Sequence, residues 1–381
     1  MKIVVIMPMA SGKYEDDTTQ HCRALTRYGG HTIIYAEKDE ENPPGVIIDK
    51  KYENKMDDVD LIWCPYEDLL PNAFILKKEL NKPIVGHFEI ALSGRFLQDI
   101  TDVYWYENTD PPTEEDFGTF GHTFYINYRN YLNLYRFCDV KTVVGQFHKM
   151  RGEKIIGRPL GETFIKPYPI DTELYDKYKK EGVEEKYQVC CIARLIIYKR
   201  LFHTLKALSL LKNPPKLIVA GVADDRVNYD GMLKDQAKEL GVDVEFRGHI
   251  TDEEKVHLIQ ESMFTFSHYG WIPPTEAAYL KKPCVCYYEP DTHERLKDIP
   301  YYVESNNVEA LADAIEYLSK NKDVRETVGL SAYNKLMNGE CHTHPLEEDS
   351  KQLTKIFEKA LQPRVFSKTT VHDYKPKKDK K

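Results

Sequence analysis

Two basic residues lie close together near the end of an apolar, strand-like segment in the second half of the chain. The segment "YQVCCIARL" contains Arg194 near its end, and Lys199 follows five residues after Arg194. A guanidinium group can bind two phosphate oxygens at once, whereas an ammonium group acts as a compact positive charge. Both groups suit phosphate oxygens, so the pair predicts a phosphate-binding site. The alternative is that both are ordinary exposed basic residues.

A carboxylate lies in the first turn of a second predicted element. In "SHYGWIPPTEAAYLKKPCV" the proline pair favours a helix that begins near Pro274, because proline fits the first helical turn and not the interior. Glu276 would then lie among free backbone N–H groups, with His268 and Trp271 just before the helix. The alternative for Glu276 is that it only stabilises the helix dipole.

Composition limits the class of protein. A chain of 381 residues exceeds one ordinary core and predicts two domains. The net charge of -8 argues against a general nucleic-acid binder. We expect no transmembrane helix, a first β-strand rather than a signal peptide at the start, and eight buried, reduced cysteines in a cytoplasmic protein.

The end of the chain has a different composition. Residues 367–381 contain six Lys and two Asp, a charge of +4, and few apolar residues. This composition predicts a disordered basic tail. The tail is either a solvated terminus or a weak contact with an anionic membrane surface.

Strand-like and helix-like segments alternate along both halves. In the first half the predicted strands are "KIVVIMPMA", "HTIIYAE", "VDLIWCPY", "KPIVGHFEI" and "CDVKTVVG", with a helix over "DDTTQHCRALTRYGG". In the second half they are "KYQVCCIARL", "PKLIVAGVA", "VDVEFRGHI", "MFTFSHYG" and "PCVCYYEP". Continuously apolar strands that alternate with helices indicate parallel sheets covered on both faces.

These patterns predict an α/β protein of two doubly wound, Rossmann-like domains that face each other across a cleft. We place a first domain at 1–170, a polar linker at 171–186 and a second domain at 187–345. A helix over 346–366 is expected to pack back on the first domain. Ligands in such sheets bind beyond the carboxyl ends of the strands.

The second half resembles the donor domain of retaining GT-B glycosyltransferases of the glycogen-synthase-like group 1 type. The four matching segments are "PYPIDTELY", "ARLIIYKR", "FRGHITDEE" and "HYGWIPPTEA", and they occur in the family's order. The resemblance covers roughly residues 165–360. In the first half only "LTRYGGHTIIYAE" resembles the family's helix-to-strand turn.

The resemblance implies a nucleotide-sugar site on the second half. Arg194 and Lys199 would hold the diphosphate as catalytic cations, and Glu276 would hydrogen-bond the ribose. Gly270 and Gly221 would let the backbone approach the donor, and Trp271 would pack on it. A UDP- or GDP-sugar would be the co-substrate, with no further cofactor and no metal.

One position departs from the family pattern. The family has a glutamate beside the donor sugar eight residues before the ribose-binding one, and this chain has His268 there. Histidine can bond a hydroxyl but is not a fixed anion at neutral pH. This substitution keeps open the alternative of a catalytically degraded sugar- or nucleotide-binding protein.

The first half is expected to hold the acceptor, a glycan, lipid or small molecule. The resemblance suggests His87, at the end of a predicted strand, as the catalytic cleft histidine; a structural role is its alternative. Gly12 with Lys13 would stand near the phosphate, where the family usually has two glycines. The aromatic residues of the long acidic loop Thr101–Tyr125 would stack on sugar rings or be partly packed beneath the loop.

The reaction implied is transfer of a hexose from the nucleotide-sugar to an acceptor hydroxyl with retention and without metal. No strong carboxylate pair for double displacement is visible in the sequence. A DNA-modifying glycosyltransferase is a further alternative that the acidic body of the chain disfavours.

Overall fold

The structure is a computed structural model that describes residues 1–7, 17–39, 45–48, 58–88, 130–196, 199–223, 228–268 and 270–362. Two β-sheets organise these residues, one in each half of the chain. Helices and an apolar core surround each sheet, as expected when continuously apolar strands must be buried on both faces.

The first sheet has seven strands in the order β3-β2-β1-β4-β5-β6-β7. Their bounds are β1 Lys2–Met7, β2 Thr32–Asp39, β3 Gly45–Ile48, β4 Leu61–Cys64, β5 Ile84–Phe88, β6 Val140–Val143 and β7 Phe164–Ile165. All pairs are parallel except β2 with β3. The central strands β1, β4 and β5 are buried almost throughout because helices cover both of their faces.

Three helices accompany this sheet: α1 Asp17–Arg27, α2 Leu70–Leu80 and α3 Gln146–Ile156. Residues 130–135 are also helical. Helix α1 is followed by Gly30 at φ 60°, a left-handed conformation that glycine adopts without steric cost.

The second sheet has six parallel strands in the order β10-β9-β8-β11-β12-β13. Their bounds are β8 Gln188–Ile192, β9 Lys216–Ala220, β10 Val244–Gly248, β11 Thr265–Phe266, β12 Cys284–Tyr287 and β13 Tyr301–Val303. The predicted α/β fold with two doubly wound sheets is confirmed. Strands β3, β7 and β13 were not predicted from the sequence.

The remaining helices belong to the second half and the connections. They are α4 Thr172–Tyr178, α5 Leu201–Ser209, α6 Tyr229–Leu240, α7 Asp252–Glu261, α8 Ile272–Tyr279, α9 Pro290–Leu296, α10 Val308–Lys320, α11 Lys322–Met337 and α12 Leu346–Leu361. Within the predicted linker 171–186, Asp171 caps α4 by accepting a hydrogen bond from the Leu174 amide.

The chain passes between the halves at two adjacent points. Ile170 and Pro345 form a parallel bridge, and the Ile170 amide donates to the His344 carbonyl at 2.8 Å. Helix α12 then lies against the first sheet, where its Leu353 and Phe357 pack with the strand core. The last helix therefore contributes to the amino-terminal core.

All eight cysteines are buried, as predicted, and none of them forms a disulfide in the structure. Among the described helices none is long and apolar enough to cross a membrane. The basic tail 367–381 lies outside the described residues.

Candidate functional site

The loops that follow β8 and β9 come into close contact at Gly221. Gly221 follows β9 at φ 140°, and a Cβ atom there would lie 1.8 Å from the Ala193 carbonyl oxygen. The Gly221 amide also donates to the Gly248 carbonyl at 2.7 Å. Only glycine fits this contact. Gly221 therefore lets the loop after β9 pack closely against the loop after β8, which carries the predicted phosphate-binding residues.

Lys199 and Gly270 come together at the mouth of α8. A Cβ atom added at Gly270, which has φ 130°, would lie 3.1 Å from Lys199 Nζ. Helix α8 begins two residues after Gly270, so the ammonium group lies near an end where backbone N–H groups are free. Arg194 lies in the loop after β8 and is exposed. This arrangement presents positive charge at a helix amino-terminus, a geometry suited to phosphate.

Glu276 lies deeper than the sequence predicted. Helix α8 begins at Ile272 rather than near Pro274, so Glu276 is in the second turn, beyond the free amides. Its carboxylate is 5% exposed, and Oε1 accepts hydrogen bonds from Tyr175 at 2.5 Å and from Lys255 at 3.1 Å. Tyr175 and Lys255, rather than free amides at the helix end, therefore contact the Glu276 carboxylate.

Lys255 supplies the positive charge beside this carboxylate. Burial lowers the pKa of Lys255, but the carboxylates of Glu276 and Asp252 outweigh burial and raise the pKa above its usual value. The Tyr175 hydroxyl has its pKa raised by burial and by Glu276, so it stays a hydrogen-bond donor. With Oε1 held by two donors, Glu276 can accept a ligand hydroxyl at Oε2.

His268 lies in the core of the second half. Its side chain is 2% exposed, its Nε2 lies 2.7 Å from Thr204 Oγ1, and its ring stacks on Tyr287 at 4.5 Å. Burial holds the pKa of His268 well below its usual value, so the imidazole is neutral. Nδ1 is the ring atom left without a hydrogen-bond partner among the described residues. A contact with the donor sugar stays a prediction, and any such contact is limited to Nδ1.

Trp271 is held by other side chains. The Arg295 guanidinium carbon lies 3.3 Å from the ring centroid, and the Tyr168 ring lies parallel to it at 6.0 Å. His148 of α3 meets the Trp271 ring edge-on at 6.5 Å. Trp271 thus bridges the two halves at the start of α8, and its packing on a donor stays a prediction.

His87 is buried near the end of β5. It is 3% exposed, its Nδ1 lies 2.8 Å from Thr142 Oγ1, and its Nε2 has no hydrogen-bond partner among the described residues. Burial, with the nearby charges of His21 and Lys166, lowers the pKa of His87 to about 3, so the ring is neutral near pH 7. The Tyr168 ring, 6.2 Å away, is the neighbour that His87 shares with Trp271.

Some predicted residues lie outside the described part of the chain. These are Gly12 and Lys13 after β1, and the loop Thr101–Tyr125.

Sequence reasoning missed three residues that organise the site: Tyr175, Lys255 and Tyr168. Tyr175 and Tyr168 are both within the quoted segment "PYPIDTELY", so the segment was recognised but its contacts were not. Lys255 carried no signal, because an isolated lysine on a helix is usually exposed.

Known proteins share this fold and part of this sequence. Residues 176–335 match the family described as glycosyl transferases group 1. This match covers 160 of the 381 residues, all of them after the predicted acceptor-side domain. The predicted family and the prediction of an enzyme are thereby confirmed. No curated protein sequence matches the chain significantly.

Three solved structures share the architecture over nearly their whole length. Anabaena HepE, solved with UDP and glucose, has a TM-score of 0.67 and 16% identity, over 94% of this chain and 99% of HepE. A Rickettsia africae glycosyltransferase has a TM-score of 0.65 and 15% identity, over 95% and 99%. Sucrose-phosphate synthase from Thermosynechococcus elongatus has a TM-score of 0.65 and 14% identity, over 94% and 98%. These likenesses establish a common GT-B fold.

Proposed function

We propose that this glycosyltransferase moves a hexose from a nucleotide-diphosphate sugar to an acceptor hydroxyl, with retention and without a metal ion. The observation that carries the proposal is the meeting of Lys199 Nζ with Gly270 just before α8. A lysine at a helix amino-terminus, beside a glycine that leaves the backbone accessible, suits a diphosphate.

The donor is a UDP- or GDP-sugar. A UDP donor is supported by the likeness to HepE, whose solved complexes contain UDP-glucose. Glu276 supports a nucleoside rather than a simple sugar phosphate, because a carboxylate held by Tyr175 and Lys255 is prepared to accept ribose hydroxyls.

In the reaction the bond from the sugar anomeric carbon to the diphosphate oxygen breaks, and a bond from the acceptor oxygen to that carbon forms on the same face. The proton of the acceptor hydroxyl passes to the leaving phosphate oxygen. Lys199 and Arg194 stabilise the negative charge that develops on the leaving group, more strongly in the transition state than in the ground state.

His87 has a positioning role in this proposal. Because its low pKa keeps it neutral, His87 can donate or accept one hydrogen bond at Nε2 but cannot serve as a cation. A buried neutral imidazole suits a hydroxyl of the sugar more than a phosphate oxygen.

The proposal is tested by Lys199→Ala in a donor-hydrolysis and transfer assay that follows nucleotide release. We expect turnover to fall about 10²-fold or more, the scale of losing one transition-state donor. Lys206→Ala, an exposed lysine in the last turn of α5, is the control and should keep parent turnover. Equal turnover in both variants would contradict the phosphate role of Lys199.

A further inference from the structure

A cavity of about 210 Å³ lies between the two halves of the molecule. One wall comes from the first turns of α1, with Thr19, Gln20 and Arg23. The facing wall comes from α7 and α8, with Lys255 and Glu276. The cavity therefore joins the amino-terminal half to the carboxylate predicted to bind ribose.

The cavity lies along α8 from the predicted phosphate site at the start of that helix. Glu276 follows Ile272 by four residues, which is about 6 Å along the axis at 1.5 Å per residue. Lys199 and Gly270 meet at the beginning of the same helix. A donor whose diphosphate contacts Lys199 would direct its nucleoside along α8 towards the cavity. A volume below about 300 Å³ suits one part of a ligand rather than a whole one.

Gln20 provides an unused polar group at this wall. Its Oε1 is shielded from water and has no hydrogen-bond partner among the described residues. Because no described partner holds this amide, rotation of the flexible side chain can turn it into the cavity, where a ligand donor can satisfy the oxygen. The amide has one acceptor and two N–H donors, and this combination matches the mixed donor and acceptor edge of a nucleobase.

Arg23, the basic side chain on the α1 wall, already has a carboxylate partner. Arg23 donates to Asp171 Oδ2 at 3.0 Å, and Asp171 is buried at the start of α4. This ion pair holds α1 against the second half, so Gln20 is presented across the cavity by a fixed helix. Because Glu276 is similarly held, both walls are organised before a ligand arrives.

We propose that the nucleoside of the donor occupies this cavity and that Gln20, from the opposite half of the molecule, is a specificity-determining residue that hydrogen-bonds the nucleobase. The inference rests on the proposed function and extends it, because it assigns base recognition to the amino-terminal half.

Calorimetric titration of the full chain tests this assignment. The ligands are UDP, GDP, ADP and inorganic pyrophosphate, and the proteins are the parent, Gln20→Leu and Lys199→Ala. We expect Gln20→Leu to weaken the preferred nucleotide about tenfold, the scale of one hydrogen bond, to reduce its preference over the other two, and to leave pyrophosphate affinity unchanged. Lys199→Ala should weaken pyrophosphate and nucleotides alike.

A matched control and the contrary outcomes make the test decisive. Gln352→Leu, on α12, whose amide donates to the exposed Glu348, should bind every ligand like the parent. If the parent prefers one nucleotide and Gln20→Leu binds all ligands unchanged, the assignment of Gln20 is wrong and the proposed function stands. If Gln20→Leu loses pyrophosphate and nucleotide equally, base recognition is also refuted. If the parent binds no nucleotide, both proposals fail.

Discussion

The Glu276 carboxylate is held in place by hydrogen bonds from side chains that are distant in sequence. Tyr175 and Lys255 both donate to Oε1, from α4 and α7 respectively. A buried carboxylate needs such donors to remain charged and in place. The ribose-binding role proposed for Glu276 therefore depends on these two partners as well as on its own position.

Removal of the Tyr175 hydroxyl tests this dependence. We expect Tyr175→Phe to lower the free energy of unfolding by about 1–2 kcal/mol and to weaken nucleotide binding several-fold, because one of two donors to Glu276 is lost while the ring packing remains. Denaturant unfolding and calorimetry measure the two effects. Tyr178→Phe, whose hydroxyl accepts from the exposed Lys177, is the control and should change neither quantity appreciably.

His87 makes stability depend on pH. Its folded pKa, lowered by burial to about 3, lies below the unfolded value of about 6.5. Between these values the unfolded chain binds a proton that the folded protein does not, so stability falls as the pH drops below about 6.5. At pH 5 the cost is at most about 2 kcal/mol, from 1.4 kcal/mol per pH unit.

The variant His87→Gln should lose this part of the pH dependence. We expect its free energy of unfolding to fall less between pH 7 and pH 5 than that of the parent, by up to about 2 kcal/mol. His249→Gln, at an exposed position, should keep the parent profile. If His87→Gln and the parent have identical profiles, His87 is not neutral in the folded protein at pH 5.

At the scale of elements, strand-end glycines determine whether neighbouring loops can approach. The loops after β8 and β9 touch at Gly221, where φ is 140° and the Ala193 carbonyl oxygen occupies the space of a Cβ atom. Gly241, after α6, also has a positive φ of 65°, but a Cβ atom there would meet nothing within 4 Å. The two glycines therefore differ in steric cost although both are left-handed.

Alanine substitutions at these glycines separate conformational strain from collision. Gly241→Ala should cost about 1 kcal/mol, the price of a left-handed alanine. Gly221→Ala should cost about 2–4 kcal/mol and should also reduce activity. The added methyl group would push the loop after β9 away from the loop after β8, which carries Arg194 and Lys199. Thermal unfolding and the nucleotide-release assay measure these effects. Equal costs at the two sites would mean that the close approach at Gly221 is wrong.

At the scale of the whole molecule, α12 returns to the amino-terminal core and is fixed there by a buried ionic group. Asp349 is 0% exposed and accepts from His21 Nδ1 at 2.7 Å and from Lys166. Burial raises the pKa of Asp349, but His21 and Lys166 outweigh burial and lower it. The three side chains come from α12, α1 and the residue after β7, so the end of the chain is tied to its beginning.

The variant Asp349→Ala should destabilise the protein strongly. It leaves Lys166, which is 1% exposed, without its carboxylate, and breaking a buried pair in this way costs about 3–5 kcal/mol. Glu347→Ala removes an exposed pair with Lys351 on the same helix and should cost less than about 1 kcal/mol. Denaturant unfolding compares the two variants, and similar small losses would show that the buried group contributes little.

Most of the strands could be predicted from sequence because their apolar runs are local signals. Strands β1, β5, β8 and β9 are buried almost throughout, and each lies within a predicted run. The missed strands β3, β7 and β13 have four, two and three residues. Unlike the equally short β11, which lies within the predicted run "MFTFSHYG", these strands lie in no predicted run, and pairing with a neighbouring strand decides that they form.

The sequence by itself determined the fold class, the family and the pair Arg194 and Lys199 beside a strand end, because strand runs, glycines and charges are read along the chain. Tertiary structure alone decided that His268 packs on Tyr287 and that Glu276 is held by Tyr175, 101 positions away. Burial of a polar side chain depends on which helix covers it and which donors that helix brings. Those partners are set by long-range packing, which no local pattern records.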